Sequence, residues 1–116
     1  MISTGSITFD NDYTIELEFR NSFFQKLQGL LGKTSIKSTE GIVLTKCKQI
    51  HTFGMKFPID IVVLDKDFKI IDFISDLKAN KISPYYRRSY YIIELATNSY
   101  NKNLFKDINQ LTLELC

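Results

Sequence analysis

At 116 residues the chain fits the ~100–150-residue span of one domain, and nine Phe and six Tyr in a 44% hydrophobic composition exclude a disordered polymer. No apolar run approaches the ~20 residues of a membrane-spanning helix, so no membrane partner is expected; a net charge of +2 is too small to point to a nucleic-acid partner. Two cysteines, Cys47 and the terminal Cys116, do not make a disulfide framework, and Met1-Ile2-Ser3-Thr4-Gly5 lacks the charged-then-apolar build of an export signal. The expectation is a cytoplasmic protein of one domain over residues 1–116.

In chain order, Ile7 and Phe9 predict a short strand that turns at Asn11-Asp12 into Tyr13-Thr14-Ile15-Glu16-Leu17-Glu18-Phe19. The strict alternation of the second segment describes a strand with one wet face. The period then changes. Phe23, Phe24, Leu27, Leu30 and Leu31 fall on one face of a helix, with Asn21 or Ser22 to cap it and Gly32 to end it. Gly41-Ile42-Val43-Leu44-Thr45 is a further short strand. Ile59-Asp60-Ile61-Val62-Val63-Leu64 and Tyr90-Tyr91-Ile92-Ile93-Glu94-Leu95-Ala96 are apolar on both faces and read as central, well-covered strands.

Asp65-Lys66-Asp67 turns the first of these into Phe68–Ile74, a second hairpin. The stretch 75–89 follows no period and reads as a long loop. A short helix over 99–105 and a final alternation at Leu111, Leu113 and Leu115 close the chain. Roughly seven or eight short strands result. The fold class expected is mainly β: a compact jelly-roll-like sandwich or barrel with one amphipathic helix near the N-terminus.

Chemistry concentrates between Cys47 and Asp60. Cys47, His51 and Met55 stand at four-residue intervals, a soft-metal donor set if they lay on one helix face. Gly54 and Pro58 argue against a helix, and on a strand four residues span roughly 13 Å. No metal or other cofactor is therefore expected; Met55 and Cys47 read as core fillers. Asp60 and Glu94 are carboxylates inside apolar strands, where an unpaired charge costs several kcal/mol. If they converge with His51 and Met55, they line a polar pocket.

Tyr85-Tyr86-Arg87-Arg88-Ser89-Tyr90-Tyr91 interleaves cations with rings as single-strand nucleic-acid binders do. With only two arginines and a near-neutral chain, it reads instead as a solvated loop entering a strand. Lys33, Lys37, Lys46, Lys48 and Lys56 read as solubility charges.

Taken together, several segments are similar to the domain-of-unknown-function 192 family of bacteria and archaea. They are Lys26 ahead of Gly29-Leu30, the glycine-led strand Gly41-Ile42-Val43-Leu44, and above all the block from His51-Thr52-Phe53-Gly54-Met55-Lys56-Phe57-Pro58 to Asp65. Ile93-Glu94-Leu95-Ala96 and Asp107 complete the match. The chain departs from the family at Asn98, where Gly is usual, and at Lys106-Asp107, where Gly-Asp is usual. The resemblance implies a jelly-roll or barrel-type β fold with helical insertions. It implies no assigned activity, and many members carry an export signal.

The leading expectation is a module that binds a small molecule or a protein through His51, Met55, Asp60 and Glu94. The alternatives are a small enzyme that pairs a carboxylate with His51 as acid and base, and a weak nucleic-acid binder acting through Arg87 and Arg88.

Overall fold

The computed structural model describes residues 3–9, 13–21, 30, 32–97, 114 and 115. β1 (Ser3–Thr8) and β2 (Thr14–Arg20) form the expected first hairpin, with Ile7 opposite Ile15 and Gly5 opposite Leu17. Alternation does what it should there: Ile15, Leu17 and Phe19 are buried while Glu16 is exposed. β3 (Glu40–Thr45) joins β2 in parallel. β4 (Ile59–Leu64) and β5 (Ile70–Leu77) are the second hairpin, turned at Asp65, whose Oδ1 accepts from the backbone N–H groups of Asp67 and Lys69.

β6 (Tyr91–Ala96) slots between β3 and β4, antiparallel to both, and β7 (Glu114–Leu115) pairs with β1. The order across the sheet is β5-β4-β6-β3-β2-β1-β7. The two apolar segments expected to be central are thus adjacent strands.

The architecture corrects the expected sandwich or barrel. Among the described residues the strands form one open sheet whose ends, β5 and β7, do not pair to close it. Over β3, β4 and β6 both faces are nevertheless dry. Leu17, Phe19, Val43, Val62, Ile93 and Leu95 fill one, here the Leu95 face; Ile42, Leu44, Ile61, Val63 and Ile92 fill the other, the Ile61 face. Among the described residues, irregular segments cover the Ile61 face: Leu30, Ile36, Ile50, Met55 and Phe57 pack there. A strand apolar on both sides shows that both are covered, but not whether a second sheet or a loop covers them.

The helix expected over 23–31 lies outside the described residues except for Leu30, which is buried in a turn that Lys33 N–H closes onto its carbonyl. Gly32 takes φ 80°, the left-handed conformation that glycine adopts without strain. The short helix over 99–105 and most of the last alternation also lie outside; only 114–115 of that ending are described, and they are extended. Among the described residues no helix is long and apolar enough to cross a membrane.

Candidate functional site

Within the block from Cys47 to Pro58 the backbone builds one strand of a ribbon. The residue 48–52 stretch runs antiparallel to 81–86: Thr52 N–H donates to Lys81 O (2.8 Å), Ser83 N–H to Ile50 O (2.9 Å) and Tyr86 N–H to Lys48 O (2.8 Å), with His51 and Ile82 bridged between them. The segment 75–89, read from sequence as a loop, is therefore ordered twice over. β5 continues to Leu77, and the remainder is strapped to the ribbon. Sequence period misses such a ribbon because irregular backbone pairing, reinforced by the hydroxyls of Thr52, Ser83 and Ser89 rather than by apolar alternation, holds it.

Thr52 is fully buried. Its hydroxyl donates to Lys78 O (2.5 Å) and accepts from Lys81 N–H (2.9 Å), and its carbonyl receives Met55 N–H and Asn80 N–H. A Thr52→Val protein keeps the shape and loses the hydroxyl, so it is expected to be less stable by about 1–3 kcal/mol. Amide exchange should accelerate first at residues 78–83. Unchanged protection there would contradict this role.

The four expected site residues separate. His51 is exposed; its Nδ1 accepts Phe53 N–H (3.3 Å) and its ring stacks on Phe53 at 4.9 Å. Met55 is buried in the Ile61-face core. Asp60 stands opposite Leu95 and Glu94 opposite Ile61, so the two carboxylates project from adjacent strands to opposite faces. Asp60 has a structural partner, for its Oδ1 accepts Asp76 N–H (2.8 Å), where Asp76 holds φ 58° at the irregular end of the β4–β5 ladder. The neighbourhood expected for these strands holds, but the convergence does not, because alternation sends neighbouring positions apart. Neither carboxylate is paired with His51 among the described residues.

The Cys47–His51–Met55 set is split. Cys47 Sγ donates to Gln49 O (3.3 Å), and Cys47 packs half-buried against the same Ile61-face core that holds Met55, as the core-filler reading expects, while His51 is exposed. Among the described residues no group of three His, Cys, Asp or Glu side chains is placed to hold a metal ion.

Glu94 keeps different company. On the Ile61 face the register runs Glu18–Ile42–Glu94 across β2, β3 and β6. This sets the backbone positions of Glu18 and Glu94 roughly 10 Å apart, two strand spacings. Arg20, on the same face of β2, donates from Nη2 to Glu18 Oε2 (3.0 Å) with its own side chain 11% exposed. Its Nε is buried without a hydrogen-bond partner, and so is Glu94 Oε1, on a residue 5% exposed. Burial pushes the Glu94 carboxyl up to about 7, against a downward pull from the Arg20 guanidinium. Arg20 and Glu18 escape sequence reasoning because they occupy the polar register of β2, which alternation labels wet. That face dries toward the end of the strand, from exposed Glu16 to half-buried Glu18 and Arg20.

Beside this cluster a cleft of about 680 Å³ opens over β1, β2 and the start of β3. Thr4, Ser6, Thr14 and Glu16 line its sheet side, Lys33 and Lys37 its outer wall, and Glu18 and Ile42 belong to it as well. Glu18 is therefore shared: one side faces the cleft, and its carboxylate holds Arg20, which lies in the field of Glu94. Hydroxyls, carboxylates and ammonium groups make a surface suited to a polar ligand carrying both signs of charge.

A family model described as "Uncharacterized ACR", DUF192, matches residues 6–112. No curated protein matches the chain. Two solved structures share its fold. One is a protein of unknown function from Novosphingobium aromaticivorans, at TM-score 0.76 and 12% identity over 97% of this chain and 84% of that one. The other is a Sinorhizobium meliloti protein described as a "putative transcription regulator", at TM-score 0.74 and 14% identity over 99% of this chain and 94% of that one. At such identities the likeness is one of fold.

Proposed function

We propose, for a chain that belongs to the DUF192 family, a non-enzymatic binding role in which the cleft over β1–β3 takes a small polar ligand. The observation that carries this reading is the buried pair beside the cleft: Glu94 Oε1 and Arg20 Nε both lack hydrogen-bond partners, and Glu18 links Arg20 to the cleft wall. Buried polar atoms left unsatisfied cost about 1–3 kcal/mol each, and such costs concentrate at functional sites. A ligand that draws Glu18 outward would free Arg20 Nη2 for Glu94 and repair part of that deficit. The lining, with Glu16 and Glu18 facing Lys33 and Lys37, favours a zwitterion or short polar peptide.

A thermal-shift screen of amino acids, dipeptides, nucleotides and sugars tests this. A zwitterionic compound is expected to raise the melting temperature of the native chain. Thr14→Tyr, which fills the cleft from its floor, and Glu18→Gln should each abolish that shift while keeping the fold by circular dichroism. A compound that stabilises all three proteins equally, or no zwitterion among the hits, overturns the reading.

A further inference from the structure

The ribbon carries a second surface, independent of the cleft. Its two strands and their flanks, residues 46–57 and 78–90, hold Lys46, Lys48 and Lys56 on one side and Lys78, Lys81, Arg87 and Arg88 on the other. That is seven of the fifteen cations of the chain and none of its thirteen anions. All seven side chains are exposed. The near-neutral total conceals a segregation: a basic ribbon on a body that is net acidic. Such asymmetry is the footprint of a polyanionic partner.

The outward register of the ribbon is apolar and mostly aromatic. Ile50, Thr52 and Ser83 point inward, while Phe53 (46% exposed), Ile82 (59%) and Tyr85 (63%) are outward, with the His51 ring stacked on Phe53. These are three of the four large hydrophobic side chains exposed among the described residues. The platform is also held rigidly. Lys48 Nζ donates to Arg87 O (2.6 Å), Ser89 Oγ to Cys47 O (2.7 Å), and Tyr86 OH to Asp72 Oδ2 on β5 (2.5 Å). The acidic groups at its border are already engaged: Asp72 accepts from Tyr86 and Asp76 from Lys78 (2.8 Å).

We infer that the outer face of this ribbon docks single-stranded nucleic acid, with Phe53 and Tyr85 stacking on bases and the flanking lysines and arginines tracking the phosphates. Exposed rings at two places on the ribbon, Phe53 in the turn after Thr52 and Tyr85 in the opposite segment, both flanked by cations, match the stacking-and-charge pattern of sequence-tolerant single-strand binders. A lipid surface calls for a contiguous apolar wedge. Here the one exposed aliphatic side chain of the ribbon, Ile82, stands among rings and charges.

Fluorescence anisotropy with 5′-fluorescein-labelled dT12 and U12 at 50 mM salt decides the matter, with phosphatidylserine vesicles and polyglutamate as competitors. Both strands are expected to bind, more weakly as salt rises. Phe53→Ala/Tyr85→Ala should weaken binding by roughly tenfold or more at an unchanged salt slope, since two stacking contacts are lost. Arg87→Gln/Arg88→Gln should flatten that slope by about 0.7 per phosphate contact removed. Glu18→Gln, in the cleft, should bind as the native chain does. Absence of binding at 50 mM salt, full retention in the aromatic double variant, or displacement by vesicles or polyglutamate at lower concentration than by unlabelled dT12 would overturn the inference.

Discussion

A Glu94→Gln protein is expected to be more stable than the native chain above pH 7 and to lose the native pH dependence between about 4.5 and 7. Burial lifts the folded-state carboxyl from its ordinary 4.5 to about 7, so between those values the folded chain holds a proton that the unfolded chain releases. A raised pKa places the stabilising contribution at low pH. It is complete below 4.5 and is lost as pH rises through 7. At ~1.4 kcal/mol per unit the loss is on the order of 3 kcal/mol. Glutamine has the shape of the protonated acid and no charge to bury, so its curve should stay flat where the native curve falls. Urea-denaturation midpoints from pH 4.5 to 8.5, taken as the difference between the two proteins, measure this without interference from groups they share. Parallel curves would show that Glu94 is ionised in the fold and well solvated.

The second large effect belongs to Gly41. A Cβ built there would lie 2.7 Å from Leu95 Cδ2, 2.9 Å from Leu17 Cδ2 and 3.3 Å from the Glu94 carbonyl oxygen. Leu17 and Leu95 are buried at 2% and 0% exposure, so their methyl groups have no open space to retreat into. Gly41→Ala is expected to destabilise by about 1–3 kcal/mol through overpacking. Removing a methylene opposite it should restore part of this loss. The Gly41→Ala/Leu95→Val double variant is expected to be more stable than the two single losses would add up to, and a double-mutant cycle by chemical denaturation gives the coupling. Strict additivity would mean that the clash is relieved by the backbone instead.

These residues also show how far a linear reading reaches. Alternation in Tyr13–Phe19 placed the first hairpin and its buried side. Two-sided apolarity marked β4 and β6 as central, and they are neighbours. The same period, applied across the β4–β6 register, would have separated Asp60 from Glu94. Which residue faces which is fixed by the ladder, and the ladder is a long-range property that no local window contains. Arg20 and Glu18 were invisible for a related reason, since they sit in polar register on a strand whose polar side passes from exposed at Glu16 to half-buried at Glu18 and Arg20. The ribbon was missed because its bonds come from hydroxyls and irregular backbone. Its charge asymmetry was written in the chain all along but averaged away in the net value of +2.

The position of β6 has a bearing on how the molecule is made. Its partners on either side, β3 and β4, precede it in the chain, and among the described strands they are joined to each other only through it. As the polypeptide leaves the ribosome, the β1–β2–β3 unit and the β4–β5 hairpin must wait as two separate fragments, each with an unsatisfied hydrophobic margin, until residues 91–96 emerge to weld them. At roughly 5–20 residues per second the stretch from Leu77 to Ala96 takes about one to four seconds, long enough for a nascent chain to need protection from its neighbours.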